Sequence, residues 1–326
     1  MYGGYQKYRI SSAPPMACSL SYNEDVAHAL SNPGTQQTAS NLTLRFEAPV
    51  LLRLWHLTSL DAPTVAVVWT LGFAWAAGVR LPAWVPILVA LATWAVYIGD
   101  RLLDVRTARR TGKMQQLRAR HFFHHRHRAA LGAAALGAAC AAAAIILRLM
   151  PVEARERNSV LALAAMTYFS GVHFSREVPQ LPSLLRSPIR IKEFIVGLLF
   201  TAGCVLPIFG RASSRFGLGY LPMWAAATYF AALAALNCCA IERWERPGPA
   251  VRISGTAGAL ALAGLPLAAL LLPFQSRVAI LIALGAASAV LLALLDRMRG
   301  RLTPLTLRAA ADLVLLTPLL ILAVEL

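Results

Sequence analysis

Charged residues are scarce in this chain, and acidic residues are the scarcer of the two signs. Only 14% of the 326 residues are charged, with 15 Asp and Glu against 31 Lys and Arg, while 58% are hydrophobic. A soluble domain carries about 25% charged residues, so an ordinary soluble domain is excluded. The apolar residues form runs about 20 residues long, which predicts an all-α polytopic membrane protein. The formal net charge of +16 then belongs to loops on one side of a membrane and does not indicate nucleic-acid binding.

Several catalytic signatures are missing as well. The five cysteines form no CxxC motif, and the chain has no P-loop, Rossmann glycine pattern, nucleophile elbow or HExxH motif. The string HFFHHRHR, with its four histidines between His121 and His127, is similar to a di-iron histidine box. Such centres need about eight histidines in several boxes, and this chain has seven histidines and a single box. These histidines are better explained as a polar cap that binds an anion or faces solvent.

The apolar runs predict nine spans and an orientation. The loops that follow the even-numbered spans contain or adjoin 20 Lys and Arg residues. The loops that follow the odd-numbered spans contain or adjoin 7. By the positive-inside rule the N-terminus is cytosolic and the C-terminus outside. A bacterial-type inner (plasma) membrane is the expected location. The expected spans are 60–79, 81–99, 129–148, 159–174, 192–210, 216–241, 253–274, 278–295 and 305–326.

Two regions are predicted from this pattern. Residues 1–46 are polar, rich in Ser, Asn, Gln, Gly and Pro, and are expected to be a disordered cytosolic tail. Residues 47–326 are expected to form the membrane domain, with cytosolic cap loops at about 101–128 and 242–252.

The best indication of chemistry is the string YIGDRLLDVR. Asp100 and Asp104 are four residues apart and share one face if the second span continues as a helix. Carboxylates at this spacing can bind Mg²⁺ and leave coordination positions for phosphate oxygens. The alternative is a helix end at which the aspartates pair with Arg101.

Three further groups accompany this pair. Glu242 and Glu245, near Asn237, offer a second metal site, although Arg243 and Arg246 could neutralise these acids. Arg190, Lys192 and Glu193 lie at the entry to the fifth span, where the cations could bind a phosphate leaving group or simply anchor the helix. Asp312 lies within the ninth span, and Arg308, four residues earlier, is its expected partner. Asp61, at the start of the first span beside His56 and Pro63, also needs a partner.

This arrangement resembles the UbiA superfamily of intramembrane prenyltransferases over about residues 47–326. Asp100, Arg101 and Asp104 reproduce the DRxxD that ends the family's first Asp-rich motif, while Val96 and Tyr97 replace its first two polar positions. Asn237 stands where the second motif begins with Asp. Lys192 in IKEFIVGLLFTAG is similar to the basic residue before the family's fifth helix, and SLDAPT is similar to the start of its first helix.

The resemblance implies a nine-helix bundle around a central cavity that opens to the cytosol. It implies an Mg²⁺-dependent enzyme that moves a polyprenyl group from a prenyl diphosphate to an aromatic or other lipophilic acceptor. Metal binding falls to Asp100, Asp104, Glu242 and Glu245, catalysis to Asp100, Asp104 and Lys192, and diphosphate binding to Arg101, Arg106, Arg190 and Asn237. Two alternatives stay open, namely a non-catalytic lipid-binding relative and a transporter.

Overall fold

The computed structural model describes residues 46–110, 119–177, 190–209, 211, 220–245 and 253–325. These residues fall in one compact unit. The predicted tail lies outside the described residues except for its last position. The predicted cap loops lie partly outside them, at 111–118 and 246–252.

The described residues are helical apart from turns and one isolated β-bridge between Phe46 and Leu302. Two short 3₁₀ helices, Arg299–Arg301 and Val314–Leu316, precede and follow α11. The α-helices are α1 (Val50–Leu57), α2 (Asp61–Ala76), α3 (Trp84–Arg110), α4 (Ala119–Arg126), α5 (Arg128–Leu149), α6 (Val152–Glu177), α7 (Arg190–Phe209), α8 (Leu221–Glu245), α9 (Ile253–Leu271), α10 (Ser276–Met298), α11 (Pro304–Leu313) and α12 (Leu319–Glu325).

Six helical segments in the described chain are long and apolar enough to cross a membrane, or seven if the bent pair α1–α2 counts as one. The six are α3, α5, α8, α9, residues 192–209 of α7, and α10 with the 3₁₀ turn after it. The prediction of a helical, multi-pass membrane protein is therefore confirmed, whereas nine crossings are not.

Two of the expected spans differ from the other helices for identifiable reasons. Helix α6 opens with a charged stretch, Glu153 to Arg157, so its apolar part is short. The last expected span is interrupted, since α11 ends at Leu313 and α12 begins only after Pro318. Proline lacks an amide hydrogen and breaks the helical hydrogen-bond ladder.

Helices α1 and α2 meet at an angle of 88°. The turn between them contains Ser59, which adopts a left-handed backbone conformation with φ 60° and is completely buried. The indole of Trp94 on α3 donates a hydrogen bond to the Thr58 carbonyl in this turn (2.9 Å). The bend is therefore fixed against α3.

The core on the other side of α2 is aromatic. Trp69 stacks on Phe230 of α8 with ring centroids 3.9 Å apart, and its indole donates to the Leu315 carbonyl (2.8 Å). Tyr229 lies against Gly264 of α9 and Gly285 of α10, where an added Cβ would come within 2.6 Å and 2.9 Å of the tyrosine ring system. These contacts join α2, α8, α9 and α10 into one packed unit.

Asp296 ties the ends of three helices together. Its carboxylate accepts hydrogen bonds from the Trp244 indole of α8 (2.9 Å) and from the Ser254 amide in the first turn of α9 (2.8 Å). A carboxylate at a helix N-terminus satisfies amides that have no partner within the helix. These two hydrogen bonds link the end of α10 to the end of α8 and the start of α9.

Candidate functional site

A buried ionic cluster lies where the α1–α2 turn meets α3. The Nδ1 atom of His56 is 2.5 Å from Oδ2 of Asp61, and both side chains are almost completely buried. Arg101 reaches this pair from α3, with Nη2 3.9 Å from the same Asp61 oxygen and Nη1 donating to the His56 carbonyl (3.3 Å). The sequence predicted that the Asp61 carboxylate needs a partner, and the structure provides two, His56 and Arg101.

A second polar pair extends the cluster across the bundle. Asn237 on α8 donates from Nδ2 to Oδ1 of Asp312 on α11 (3.0 Å). The carbonyl oxygen of the same amide, Oδ1 of Asn237, is buried and has no hydrogen-bond partner in the described part of the chain. Tyr97 on α3 lies within electrostatic range of Asp312, Asp61 and Arg101. We call the set His56, Asp61, Arg101, Asn237 and Asp312 the buried cluster.

Three side chains of the buried cluster are close enough to share a metal ion. His56, Asp61 and Asp312 each offer one ligand atom, and these atoms lie within 4.8 Å of one another. Mg²⁺ prefers an all-oxygen shell, and a guanidinium beside Asp61 opposes the binding of any cation. The trio is therefore a poor fit to Mg²⁺, and His56 and Asp61 are better suited to sharing a proton.

Asp100 and Asp104 lie one turn apart on α3, and both are half-buried. At about 100° per residue, they fall within about 100° of arc together with Tyr97 and Arg101. Asp104 is also 3.7 Å from Nε2 of His121 on α4. The predicted acidic pair thus belongs to the face of α3 that contributes Arg101 to the buried cluster.

Arg106 does not share that face. Along α3 it is rotated by about 160° from Asp104 and about 120° from Asp100. It lies instead in a cleft of about 620 Å³ between α3, α4 and α5. Arg106 and the acidic pair are therefore brought to different sides of the same helix.

The residues of the predicted second metal site contact two different residues of α11. Glu245 forms an ion pair with Arg308 of α11, and Asn237 contacts Asp312. The sequence predicted Asp312 as the partner of Arg308; the charge of Arg308 does act on Asp312, but its ion pair is with Glu245. Glu242 is half-buried near the end of α8.

Lys192 and Glu193 stand in the first turn of α7, where Lys192 is exposed and Glu193 is buried. Cys238 on α8 lies within electrostatic range of Asp312, Glu193 and Lys192. Lys192 is therefore at the same end of the bundle as the buried cluster. Arg190 begins α7, and the position of its side chain is outside the described residues.

The histidine string forms part of α4, which packs on the α1–α2 turn. His124 is completely buried, with Nε2 3.2 Å from the Ser59 hydroxyl, and His121 contacts Asp104. Burial, together with the positive charge of Arg101 and the neighbouring His121, lowers the pKa of His124 to about 3. His124 is therefore neutral over the physiological pH range.

Sequence reasoning identified Asp61, His56 and Asp312 individually but did not join them. The sequence indicated only that each carboxylate needed a partner, because an uncompensated carboxylate inside an apolar run is energetically unfavourable. Ser59 carried no signal, because its role depends on a turn geometry that brings it to His124, 65 positions later.

The fold and the buried cluster define the class of this protein as an all-helical, multi-pass membrane protein with a polar, ionisable site at one end of its bundle. Comparisons with protein-family models, curated proteins and solved structures found no match.

Proposed function

We propose that the protein is an intramembrane prenyltransferase of the kind that the UbiA superfamily comprises. It would move a polyprenyl group from a prenyl diphosphate to an aromatic or other lipophilic acceptor. Its donor diphosphate would be bound at the end of the bundle that carries Asp61, Arg101 and Asn237. The nine-span bundle, with a cytosolic N-terminus and an external C-terminus, belongs to the same proposal.

One observation carries the proposal most strongly. Polar and ionisable side chains from helices far apart in the sequence converge at one end of an apolar bundle, as Asp61, Arg101 and Asp312 do. Ionisable residues inside a membrane domain are costly and usually mark a substrate or ion pathway. Asp100 and Asp104 are on the α3 face that meets this cluster, and Lys192 lies at the same end.

The donor set of Asp100 and Asp104 fits Mg²⁺. Both side chains are half-buried carboxylates one turn apart, and carboxylate oxygens with remaining water positions are the ligands that Mg²⁺ prefers. Glu242 or Glu245, near the end of α8, would supply a third ligand, and Glu245 would have to give up its ion pair with Arg308 to do so. When bound, the ion would neutralise charge on the donor diphosphate and on the departing pyrophosphate.

The rest of the chain would stabilise the charge on the leaving group, exclude water and position the metal ligands. Lys192 would contact the leaving pyrophosphate as the C–O bond of the donor breaks and its electron pair stays on oxygen. The apolar helices would keep water from the allylic cation. A carbon of the acceptor ring would supply the electron pair for the new C–C bond and lose its proton to pyrophosphate. Arg101, tied to Asp61 and the His56 carbonyl, would position α3 and its two aspartates.

A second candidate is a lipid-binding protein without transferase activity. It is favoured by the ion pairs Arg101–Asp61 and Arg308–Glu245, which engage groups that an active site would use. Removing one partner of a buried ion pair costs about 3–5 kcal/mol, so the Arg101–Asp61 pair serves as a structural tie in either case.

The test is pyrophosphate release and prenylated-product formation by the purified full-length protein in detergent or nanodiscs. A panel of prenyl diphosphates is supplied with an aromatic acceptor, with Mg²⁺ and with excess chelator. We expect turnover that requires Mg²⁺ and falls at least about 100-fold in Asp100→Asn and in Asp104→Asn, since each variant loses a metal ligand.

Glu153→Gln, which removes an exposed carboxylate from α6, is the matched control and should retain full activity. The unfolding midpoints of all variants are compared so that lost activity is not lost folding. Unchanged turnover in both aspartate variants would reject the metal site. Prenyl diphosphate binding without any turnover would favour the lipid-binding candidate.

A further inference from the structure

The cleft that contains Arg106 is strongly cationic. We call it the arginine cleft, and it has a volume of about 620 Å³. Four guanidinium groups, which stay protonated at any physiological pH, line it together with one imidazole. These lining residues are Arg106, Arg109, Arg110, His125 and Arg128.

Acidic residues are absent from the described lining of the arginine cleft. The surrounding sequence also lacks them, because neither Asp nor Glu occurs between Asp104 and Glu153. The cleft therefore concentrates at least four positive charges with no carboxylate from its own stretch of chain. Such a concavity favours an anion that brings several oxygen acceptors.

The remaining wall of the arginine cleft is apolar and joins the outer surface of the bundle. It is formed by Leu102, Val105 and Ala129. Helix α5, which begins at Arg128, has only 11% of its most apolar 18-residue stretch buried inside the protein, and it exposes Leu136 and Leu147. A ligand in the cleft thus has an apolar, outward-facing helix surface directly below its charged end.

The arginine cleft is distinct from the buried cluster. On α3 its residues are centred about 160° away from Tyr97, Asp100, Arg101 and Asp104. A soluble diphosphate that arrives with Mg²⁺ would find no described carboxylate in the cleft to share the ion. The combination of guanidinium groups above and apolar surface below fits an amphiphile better.

We propose that the arginine cleft binds the headgroup of an anionic phospholipid, with the phosphodiester between Arg106, Arg109 and Arg128 and the acyl chains along α5. Basic pockets at the ends of membrane helices are suited to such headgroups, and arginine binds phosphate oxygens in a bidentate manner. This site does not depend on the proposed transferase activity.

The test is native mass spectrometry of the full-length protein in detergent, titrated with phosphatidylglycerol and, separately, with phosphatidylcholine. We expect phosphatidylglycerol to bind at least about 10-fold more tightly. Each arginine at an anionic surface contributes enough to change affinity about fivefold, so Arg109→Gln should weaken binding about fivefold and Arg106→Gln/Arg128→Gln about 30-fold.

Arg297→Gln/Arg301→Gln is the matched control, since it removes two exposed arginines outside the cleft and should leave affinity unchanged. Because the single variant Arg109→Gln removes an exposed side chain, it remains informative if the double variant fails to fold. Equal affinity for the two lipids, or full affinity in both cleft variants, would overturn the proposal. Displacement of phosphatidylglycerol by equimolar inorganic phosphate would overturn it as well, because the site would then serve a soluble anion.

Discussion

At the scale of single residues, Ser59 combines an unfavourable backbone with a buried contact. A left-handed conformation at a residue other than glycine costs about 1–3 kcal/mol and persists only where the surroundings impose it. Here the Ser59 amide donates to the His56 carbonyl (3.1 Å) and the hydroxyl contacts His124 (3.2 Å). The residue therefore links the turn before Asp61 to α4.

Replacement of Ser59 separates these two effects. Ser59→Ala loses the hydroxyl contact and keeps the strain, so we expect the free energy of unfolding to fall by about 1–2 kcal/mol. Ser59→Gly loses the same contact but adopts positive φ without strain, so we expect a smaller loss. Reversible unfolding in mixed detergent measures both. A larger loss for glycine than for alanine would contradict the strained turn.

His124 predicts a pH dependence of stability. Its pKa is about 3 in the folded protein, lowered by burial and by Arg101, against about 6.5 in the unfolded chain. Between these values only the unfolded state takes up the proton, so stability decreases as pH falls from about 6.5 towards 3. The slope is at most about 1.4 kcal/mol per pH unit, and above pH 6.5 His124 contributes no slope.

Unfolding measured between pH 7.5 and 5 checks this dependence. His124→Gln should flatten the curve at low pH, while His127→Gln, which removes an exposed imidazole next to the same helix, should not. An identical slope in the wild type and His124→Gln would assign the acid sensitivity to other groups.

At the scale of helices, Gly197 sets the closest approach of α7 and α8. A Cβ added at this position would lie 2.7 Å from the Ala235 amide nitrogen and 2.8 Å from the Ala231 carbonyl oxygen. Both are backbone atoms, which cannot rotate away. Small residues at such positions allow van der Waals packing between membrane helices, where lipid offers no hydrophobic driving force.

We expect Gly197→Ala to destabilise the protein by about 1–3 kcal/mol, because α7 and α8 must separate to accept one methyl group. Gly203→Ala is the control on the same helix, since no atom of the described neighbouring residues lies within 4 Å of its added Cβ. Alanine there should be neutral or slightly stabilising. Equal stability of the two variants in detergent unfolding would show that α7 moves without cost.

At the scale of the whole molecule, the apolar runs predicted where helices lie much better than how polar groups pair. Each of the nine predicted spans overlaps helix in the described chain, although the last one is interrupted between Leu313 and Leu319, because length and hydropathy are local properties. His56 is a near neighbour of Asp61 in sequence, but the second partner of Asp61, Arg101, lies 40 positions away. Arg308, the partner of Glu245, lies 63 positions away, and no local spacing rule predicts either distant pair.

The number of crossings is a prediction that reporter fusions decide. With nine spans, fusions after residues 113, 188, 248 and 300 report the cytosol, and fusions after 80, 151, 275 and 326 report the outside. If the fusions after residues 151 and 188 report the same side of the membrane, α6 does not cross it. Residues 300 and 326 on the same side would mean that the interrupted segment from α11 to α12 does not cross.

The right-angled position of α1 has a consequence for the buried cluster. Leu51 and Leu54 are exposed on this helix, while His56 is buried against Asp61. An apolar surface on a short helix transverse to the bundle inserts into the lipid interface. If α1 lies in that interface, we expect changes in bilayer thickness or lateral tension to displace it and so to alter the geometry of the histidine–aspartate contact.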